Sequence, residues 1–323
     1  MNTLAHILLF LFSSAVIWFF AGMLIESVDR VAKHFHKSGF AIAFFILGFL
    51  TSISEISVAT NSWIEGVPQV SVGNLIGASF VILLFIIPFL AVTGKGVQLR
   101  HTLSHRNLQL SLLAILLPAL FVIDGRVTRL EGLSSILAFA VLLFLIENQK
   151  DSVRADVQII EKDLLGNNIG WRDGAKILLG GIFIFIAGHF LVEQAVYFAN
   201  ALHVPNSIIG LILLSIGTNV PELVVAAQSI LKKRKDIAFG DYIGSAATNT
   251  LIFGVLVLVN GSFVVEASEF ILTVILTMAG LICFYFFASS KWVVTRKEGL
   301  ILLSFYAAFL VIQLMNMVRL YSG

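Results

Sequence analysis

A chain of 323 residues that is 58% hydrophobic and only 12% charged, with a mean hydropathy of +0.97, is a polytopic helical membrane protein. The roughly ten-residue alternating segments of a transmembrane barrel are absent, so helices must satisfy the backbone in lipid. The formal charge of +2 carries no signal for nucleic acid, because the basic residues sit between apolar runs, and the single cysteine, Cys283, lies inside such a run as a packing residue.

Apolar runs of about 20 residues predict ten spans, near residues 4–25, 40–64, 70–92, 108–122, 130–146, 175–198, 208–231, 238–259, 270–288 and 300–318. The first lacks a basic leader and reads as a retained helix rather than a cleaved signal. Between spans five and six lies a charged connector. The chain therefore divides into a first five-helix repeat (1–148), a cytoplasmic connector (149–172) and a second five-helix repeat (173–323). Of the 21 Lys and Arg residues, all but Arg126, Arg129 and Arg319 fall in the loops after spans one, three, five, seven and nine. Cytoplasmic loops collect Lys and Arg, so both termini are expected outside and the connector inside, in the cytoplasmic (plasma) membrane. The cluster Lys232-Lys233-Arg234-Lys235 is accounted for by the same anchoring.

Span seven is interrupted by Gly217-Thr218-Asn219-Val220-Pro221-Glu222, and span two carries a second version, Thr51-Ser52-Ile53-Ser54-Glu55. A carboxylate at bilayer depth is costly and marks a functional site, and irregular backbone there survives only where it lines a cavity. Pairing Glu55 with Glu222 sets an offset of 167 residues that also pairs Thr51 with Thr218, Ala59 with Ala226, Gly73 with Gly240, Ile76 with Ile243, Gly77 with Gly244 and Leu84 with Leu251. Five spans is an odd number, so the second copy enters the membrane from the opposite face. Inverted-topology repeats of this kind build transporters whose substrate sits near the midplane between broken helices.

Each copy supplies a threonine hydroxyl, a further polar side chain (Ser52 or Asn219) and a glutamate within five residues. All are oxygen ligands without a nearby His or Cys, a set that suits a hard cation such as calcium or sodium rather than zinc or copper. Pro221 lacks a backbone donor and frees carbonyls around residues 215–218. Spans three and eight carry small residues, Gly73-Asn74-Leu75-Ile76-Gly77-Ala78-Ser79 and Gly240-Asp241-Tyr242-Ile243-Gly244-Ser245-Ala246, that permit close helix approach. Glu193, Gln194 and His189 in span six are weaker candidates, for a proton relay.

The paired G-T-x-x-P-E and G-N/D-x-x-G-S segments resemble the alpha repeats of the cation/calcium exchanger superfamily, close to its sodium/calcium exchanger branch. The specific motifs lie in residues 48–85 and 215–252, the second matching strongly and the first in degraded form. The resemblance implies that Glu55 and Glu222 hold calcium with help from Thr51 and Thr218. It further implies sodium sites at Ser52, Ser245 and the carbonyls near Gly48 and Ser215, with Asn249 at the centre of the site. Spans one and six would slide as a pair across the other eight. In the first repeat Ser54 stands for the family's proline, Ala78 for its serine, and Ile82 where the second repeat has Asn249. Asn219 replaces a serine and Asp241 an asparagine. The losses at Ala78 and Ile82 are expected to strip oxygens from one side of the site, and the role of Asp241 stays open, toward the ion pathway or toward the basic loop before it.

The expected function is a secondary antiporter exchanging calcium for sodium by alternating access. The alternatives are a proton-coupled or other-divalent exchanger of the same fold, or a non-transporting structural or regulatory relative. An intramembrane hydrolase would leave the repeat unexplained. The chain is not expected to be an enzyme or to need a cofactor; its partners would be inorganic cations and the lipid bilayer, not nucleic acid, and a monomer is compatible with this architecture.

Overall fold

The computed structural model describes residues 3–34, 44–45, 48–98, 104–147, 171–201, 209–231 and 235–322. The basic residues 232–234 and most of the connector, residues 149–170, lie outside them.

The described chain is helical almost throughout. Helix α1 (Thr3–His34) is followed by a broken segment, α2 (Gly48–Thr51) and α3 (Ile53–Ile64). Next come α4 (Pro68–Val81), a π-helical turn (Ile82–Ile86) and α5 (Ile87–Thr93), then α6 (His105–Phe121) and α7 (Arg129–Glu147). The second half repeats the order: α8 (Trp171–Ala201), a π-helical turn (Ile209–Leu214), α9 (Ser215–Thr218), α10 (Val220–Leu231), α11 (Lys235–Asn260), α12 (Ala267–Lys291) and α13 (Arg296–Ser322). The expected apolar runs fall on these segments wherever they are described, the starts of the second and seventh runs lying outside the described residues. Several helices run beyond their apolar runs, as α1 does through Arg30 and α13 from Arg296, because charged ends extend a helix past the apolar zone. Among the described residues five helical stretches are long and apolar enough to cross a membrane. The π-turn at 82–86 leads into Pro88, which has no N–H to give the carbonyl one turn back, so the hydrogen-bond ladder widens there.

Two short antiparallel sheets fix the ends of the bundle. Strand β1 (Val97–Gln98) pairs with β4 (Val293–Val294), and β2 (Arg126–Val127) with β3 (Phe263–Val264). Gly125 and Gly261, which lead into β2 and β3, have φ of +77° and +84°, a conformation that favours glycine. Since α12 alone separates β3 from β4 and is about 37 Å long at 1.5 Å per residue, the two sheets lie at opposite ends. Helix α7 starts beside β2 and α13 beside β4.

Those two helices extend the internal repeat beyond the stretch read from the sequence. Thr128-Arg129-Leu130-Glu131-Gly132-Leu133 matches Thr295-Arg296-Lys297-Glu298-Gly299-Leu300 at the same offset. Each copy folds into the same capping box. The Thr128 N–H donates to Glu131 Oε2 at 2.7 Å, and the Thr295 N–H to Glu298 Oε2 at 2.7 Å. The equivalent helices thus begin at opposite ends of the bundle, as inverted copies must.

The centre belongs to α4 and α11, whose apolar windows are 83% and 78% buried, against 11% for the window in α1. Their glycines let backbones touch, as the small residues predict. A β-carbon on Gly77 would strike the Leu211 carbonyl and stand 2.8 Å from Ser215 Cβ; one on Gly244 would strike the Phe44 carbonyl and stand 2.9 Å from its Cα. Phe44 and Leu211 are themselves equivalent positions. Gly77→Ala and Gly244→Ala should each destabilise the protein by about 1–3 kcal/mol through overpacking, lowering its melting temperature in detergent; unchanged melting would contradict the close approach.

Candidate cation site

The site is built from two helix breaks. Ser52 (φ −75°, ψ 5°) separates α2 from α3, and Asn219 (φ −86°, ψ 11°) separates α9 from α10, both near the sparsely populated bridge region. At each break the polar side chain turns back on the preceding turn. Ser52 Oγ donates to the Gly48 carbonyl at 2.7 Å, and Asn219 Nδ2 to the Ser215 carbonyl at 2.5 Å. The helix then resumes from the break residue: the Ile56 N–H donates to Ser52 O at 3.0 Å and the Leu223 N–H to Asn219 O at 3.1 Å. Loss of the family's proline at Ser54 therefore does not abolish the first break, because the Ser52 hydroxyl competes for the Gly48 carbonyl. The two carbonyls expected as ligands, at Gly48 and Ser215, each accept this side-chain bond, and the Gly48 carbonyl also receives a long contact of 3.5 Å from Thr51 Oγ1.

Glu55 and Glu222 fall in the first turns of α3 and α10, where the helix dipole favours a carboxylate, and both are completely buried. Glu55 Oε2 accepts from Ser54 Oγ at 2.9 Å, and Glu222 Oε1 from Ser245 Oγ at 2.9 Å. The equivalent of Ser245 is Ala78, so the hydroxyl missing from α4 is supplied to Glu55 by its own helix. Glu55 Oε1 and Glu222 Oε2 make no hydrogen bond.

The two halves interlock. Thr51 Oγ1 donates to Asp241 Oδ1 at 3.0 Å and Thr218 Oγ1 to Asn74 Oδ1 at 3.3 Å, and Asn74 and Asp241 are equivalent positions. Ser52 Oγ lies 3.2 Å from Ser245 Oγ, joining Gly48, Ser52, Ser245 and Glu222 in one chain of oxygens. Asn249 Nδ2 donates to Ser79 Oγ at 3.2 Å, leaving Asn249 Oδ1 without a partner, as is Asn219 Oδ1. All the side chains expected at the site are buried. The expected loss on the first-repeat side is partial. Ala78 and Ile82 are apolar and fully buried, but Ser54 and Ser79 place hydroxyls against Glu55 and Asn249.

Three residues carry more than the sequence reading assigned them. Asp241 points into the site, since it bonds Thr51 and is fully buried. Asn74 appeared only within a small-residue stretch, yet its pairing with Asp241 at the common offset was visible. Ser79 carried no signal, because it sits one position away from the family's serine. The relay candidates are elsewhere: His189 Nε2 lies 3.9 Å from Glu193 Oε1 with both side chains partly exposed, Asn61 Nδ2 bonds His189 Nδ1 at 3.2 Å, and Gln194 bonds His6 of α1.

Every group in the cluster offers oxygen. Among the described residues no three His, Cys, Asp or Glu side chains gather as a metal centre by themselves, so hydroxyl, amide and main-chain oxygens must share in holding any ion. An unpartnered buried polar atom costs about 1–3 kcal/mol, and one oxygen each of Glu55, Glu222, Asp241, Asn219 and Asn249 is in that state, as is Nδ2 of Asn74. A hard cation would satisfy the oxygens; the Asn74 N–H needs an acceptor instead. The apolar clefts at the surface, such as one of about 450 Å³ between Leu50, Ile53 and Ile177, do not reach the carboxylates, which are sealed on all sides.

A helical membrane protein with a closed, acidic, oxygen-lined cluster between broken helices is an ion transporter by class. The sequence model described as sodium/calcium exchanger protein matches residues 5–146 and 175–315, and the chain belongs to that family, whose members are transporters rather than enzymes. It is 37% identical to a sodium/calcium exchanger of Methanosarcina acetivorans over 142 residues, 44% of this chain and 40% of that relative. It is 27% identical over 290 residues to an uncharacterized membrane protein of Methanocaldococcus jannaschii, covering 90% of each, and 29% identical over 240 residues to a putative antiporter of Alkalimonas amylolytica, covering 71% and 75%. Its fold is that of the sodium-calcium exchanger NCX_Mj, with a TM-score of 0.72 at 19% identity over 96% of this chain and 99% of that one.

Proposed function

We propose that the chain is a secondary antiporter that moves calcium against sodium by alternating access, with Glu55 and Glu222 holding calcium at the membrane midplane. The observation that carries this reading is the pair of buried glutamates, one from each half, each with one carboxyl oxygen bonded to a serine and the other without a partner. Two carboxylates neutralise one divalent ion or admit monovalent ions in its place, and their uncompensated charge resists crossing when no ion is bound. Thr51 and Thr218 complete the calcium site, with Asn249 at its centre and Asn219 as a further oxygen, while Ser52, Ser245 and the carbonyls near Gly48 and Ser215 serve sodium.

The chain crosses the membrane ten times as two inverted five-helix repeats, residues 1–148 and 173–323, with both termini outside the plasma membrane. The position of the two small sheets at opposite ends and the opposite starts of α7 and α13 support this topology. Helices α1 and α8 pack on one another and meet the rest largely through α3 and α10, an arrangement suited to sliding as a pair.

The test is flux in proteoliposomes loaded with calcium and challenged first with a sodium gradient and then with a pH gradient. Calcium release driven by sodium supports the reading; no release under either gradient overturns it. Release driven by protons alone would favour the proton-coupled alternative, for which the buried apolar Ala78 and Ile82 speak. Ser54→Ala should raise the calcium concentration for half-maximal flux about tenfold, since a hydrogen bond to a charged group contributes about 1.5–3 kcal/mol. Adding Ala78→Ser should recover part of the loss, by restoring the hydroxyl that faces Glu222 in the other half. A Ser54→Ala protein with unchanged half-saturation would show that Ser54 does not support Glu55.

A further inference from the structure

Ser54 stands where the second half has Pro221, which lacks a backbone donor and any side-chain oxygen. The first half makes its break at Ser52 without a proline, so position 54 is free to carry a hydroxyl. That side chain lies in the first turn of α3 beside Glu55 and is 1% exposed.

Three acceptors converge on the hydroxyl. Ser54 Oγ lies 2.9 Å from Glu55 Oε2, 3.2 Å from the Thr51 carbonyl and 3.2 Å from the Thr218 carbonyl, the last contributed by the other half. A hydroxyl has one proton and two lone pairs, so it serves one of these acceptors well and the others poorly. A serine that only held Glu55 in place would need one acceptor, not three from two helices. Among the described residues every hydrogen bond of Ser54 is one that it donates, which leaves its lone pairs directed at no donor.

The separations suit oxygens that share an ion. With ligands held about 2.3–2.6 Å from calcium, neighbouring oxygens 2.9–3.2 Å apart subtend about 70–90° at the ion, the angles of a pentagonal bipyramid. A carboxylate and main-chain carbonyls are the oxygens a hard cation takes, and Glu55 Oε1 has no partner of its own. Resting on the exchanger reading above, we infer that Ser54 Oγ is itself a ligand of the divalent ion, a neutral oxygen added to the two glutamates for which the second half has no equivalent. The hydroxyl turns a lone pair to the ion and its proton to one of the surrounding acceptors. The atom at position 54 therefore helps to set which cation the site prefers.

Replacing that oxygen by sulfur tests this, because only a side chain that touches the ion changes the hardness of the ligand set. The full-length protein is purified in detergent in a Cys283→Ala background. Its melting is followed as calcium chloride or cadmium chloride is added, since an ion that binds the folded state raises the melting temperature. Against that background Ser54→Cys should shift the preference for cadmium over calcium by at least about tenfold, the lower end of what altering the surroundings of a metal ligand does. Ser54→Ala should bind both ions more weakly with their ratio nearly unchanged, and Ser57→Cys, buried on the same helix, should leave the ratio alone. A Ser54→Cys preference no greater than that of Ser57→Cys would overturn the inference. Should Ser54→Cys fail to fold, Ser54→Ala decides with calcium against manganese. Loss of a direct oxygen weakens calcium, which takes about six to eight ligands, more than octahedral manganese, and equal weakening overturns the inference. Glu55→Gln in the same titration keeps the two readings apart. Undiminished calcium stabilisation in Glu55→Gln would show that the calcium site itself is misassigned; stabilisation lost there, with no cadmium shift in Ser54→Cys, would remove only the Ser54 ligand.

Discussion

Glu55→Gln and Glu222→Gln should each reduce sodium-driven calcium flux in proteoliposomes by at least about a hundredfold, beyond the 10–100-fold typical of losing a residue that merely supports a metal ligand. The glutamine keeps the size of the side chain and can still accept from Ser54 or Ser245, so packing is spared and the charge is what changes. Removing one charge of the pair leaves a divalent cation under-neutralised by its direct ligands in a core where both glutamates are fully buried. The effect should be similar in the two variants, because the two glutamates occupy equivalent positions with one serine bond each. Melting temperatures within a few degrees of the wild type would confirm that the proteins fold. Full flux in either variant would remove the glutamate pair from the mechanism.

The second large effect concerns motion. Helices α1 and α8 lie along each other, held by the His6–Gln194 hydrogen bond at 2.5 Å, the His6–Tyr197 ring stack at 3.5 Å and the Phe20–Phe183 stack at 4.4 Å. Helix α8 also touches α3, the helix that carries Glu55, through Asn61 and His189. If the pair slides as a unit, tying α8 to α3 should stop transport, whereas tying α1 to α8 should not. In a Cys283→Ala background, Asn61→Cys with His189→Cys joined by a short thiol-reactive linker should lose nearly all flux and regain it when the linker is cleaved. The pair His6→Cys with Gln194→Cys, linked in the same way, should retain flux. Transport that survives the first link would rule out sliding of α8 across α3; block by the second would show that α1 and α8 move independently.

Much of this protein was legible before its fold. The apolar runs located the helices because a backbone in lipid has almost no alternative, and Glu55 and Glu222 announced a site because nothing else justifies a carboxylate at that depth. Helix ends were less legible, since α1 and α13 continue through charged turns that hydropathy counts as loop. The repeat was longer than it seemed. The matching turns at Thr128 and Thr295 lie outside the broken helices, and their shared capping boxes make the equivalence plain.

The sequence by itself determined the membrane class, the duplication and the pair of glutamates, because each follows from composition, spacing or the cost of burying charge. Tertiary structure decided which oxygens meet. Ser54 reaches Glu55 in place of the hydroxyl lost at Ala78, Ser79 meets Asn249, and Asp241 bonds Thr51. The contacts of Ser79 with Asn249 and of Asp241 with Thr51 join residues far apart in the chain, and Gly77 and Gly244 let the backbones around them come close enough for short side chains to touch.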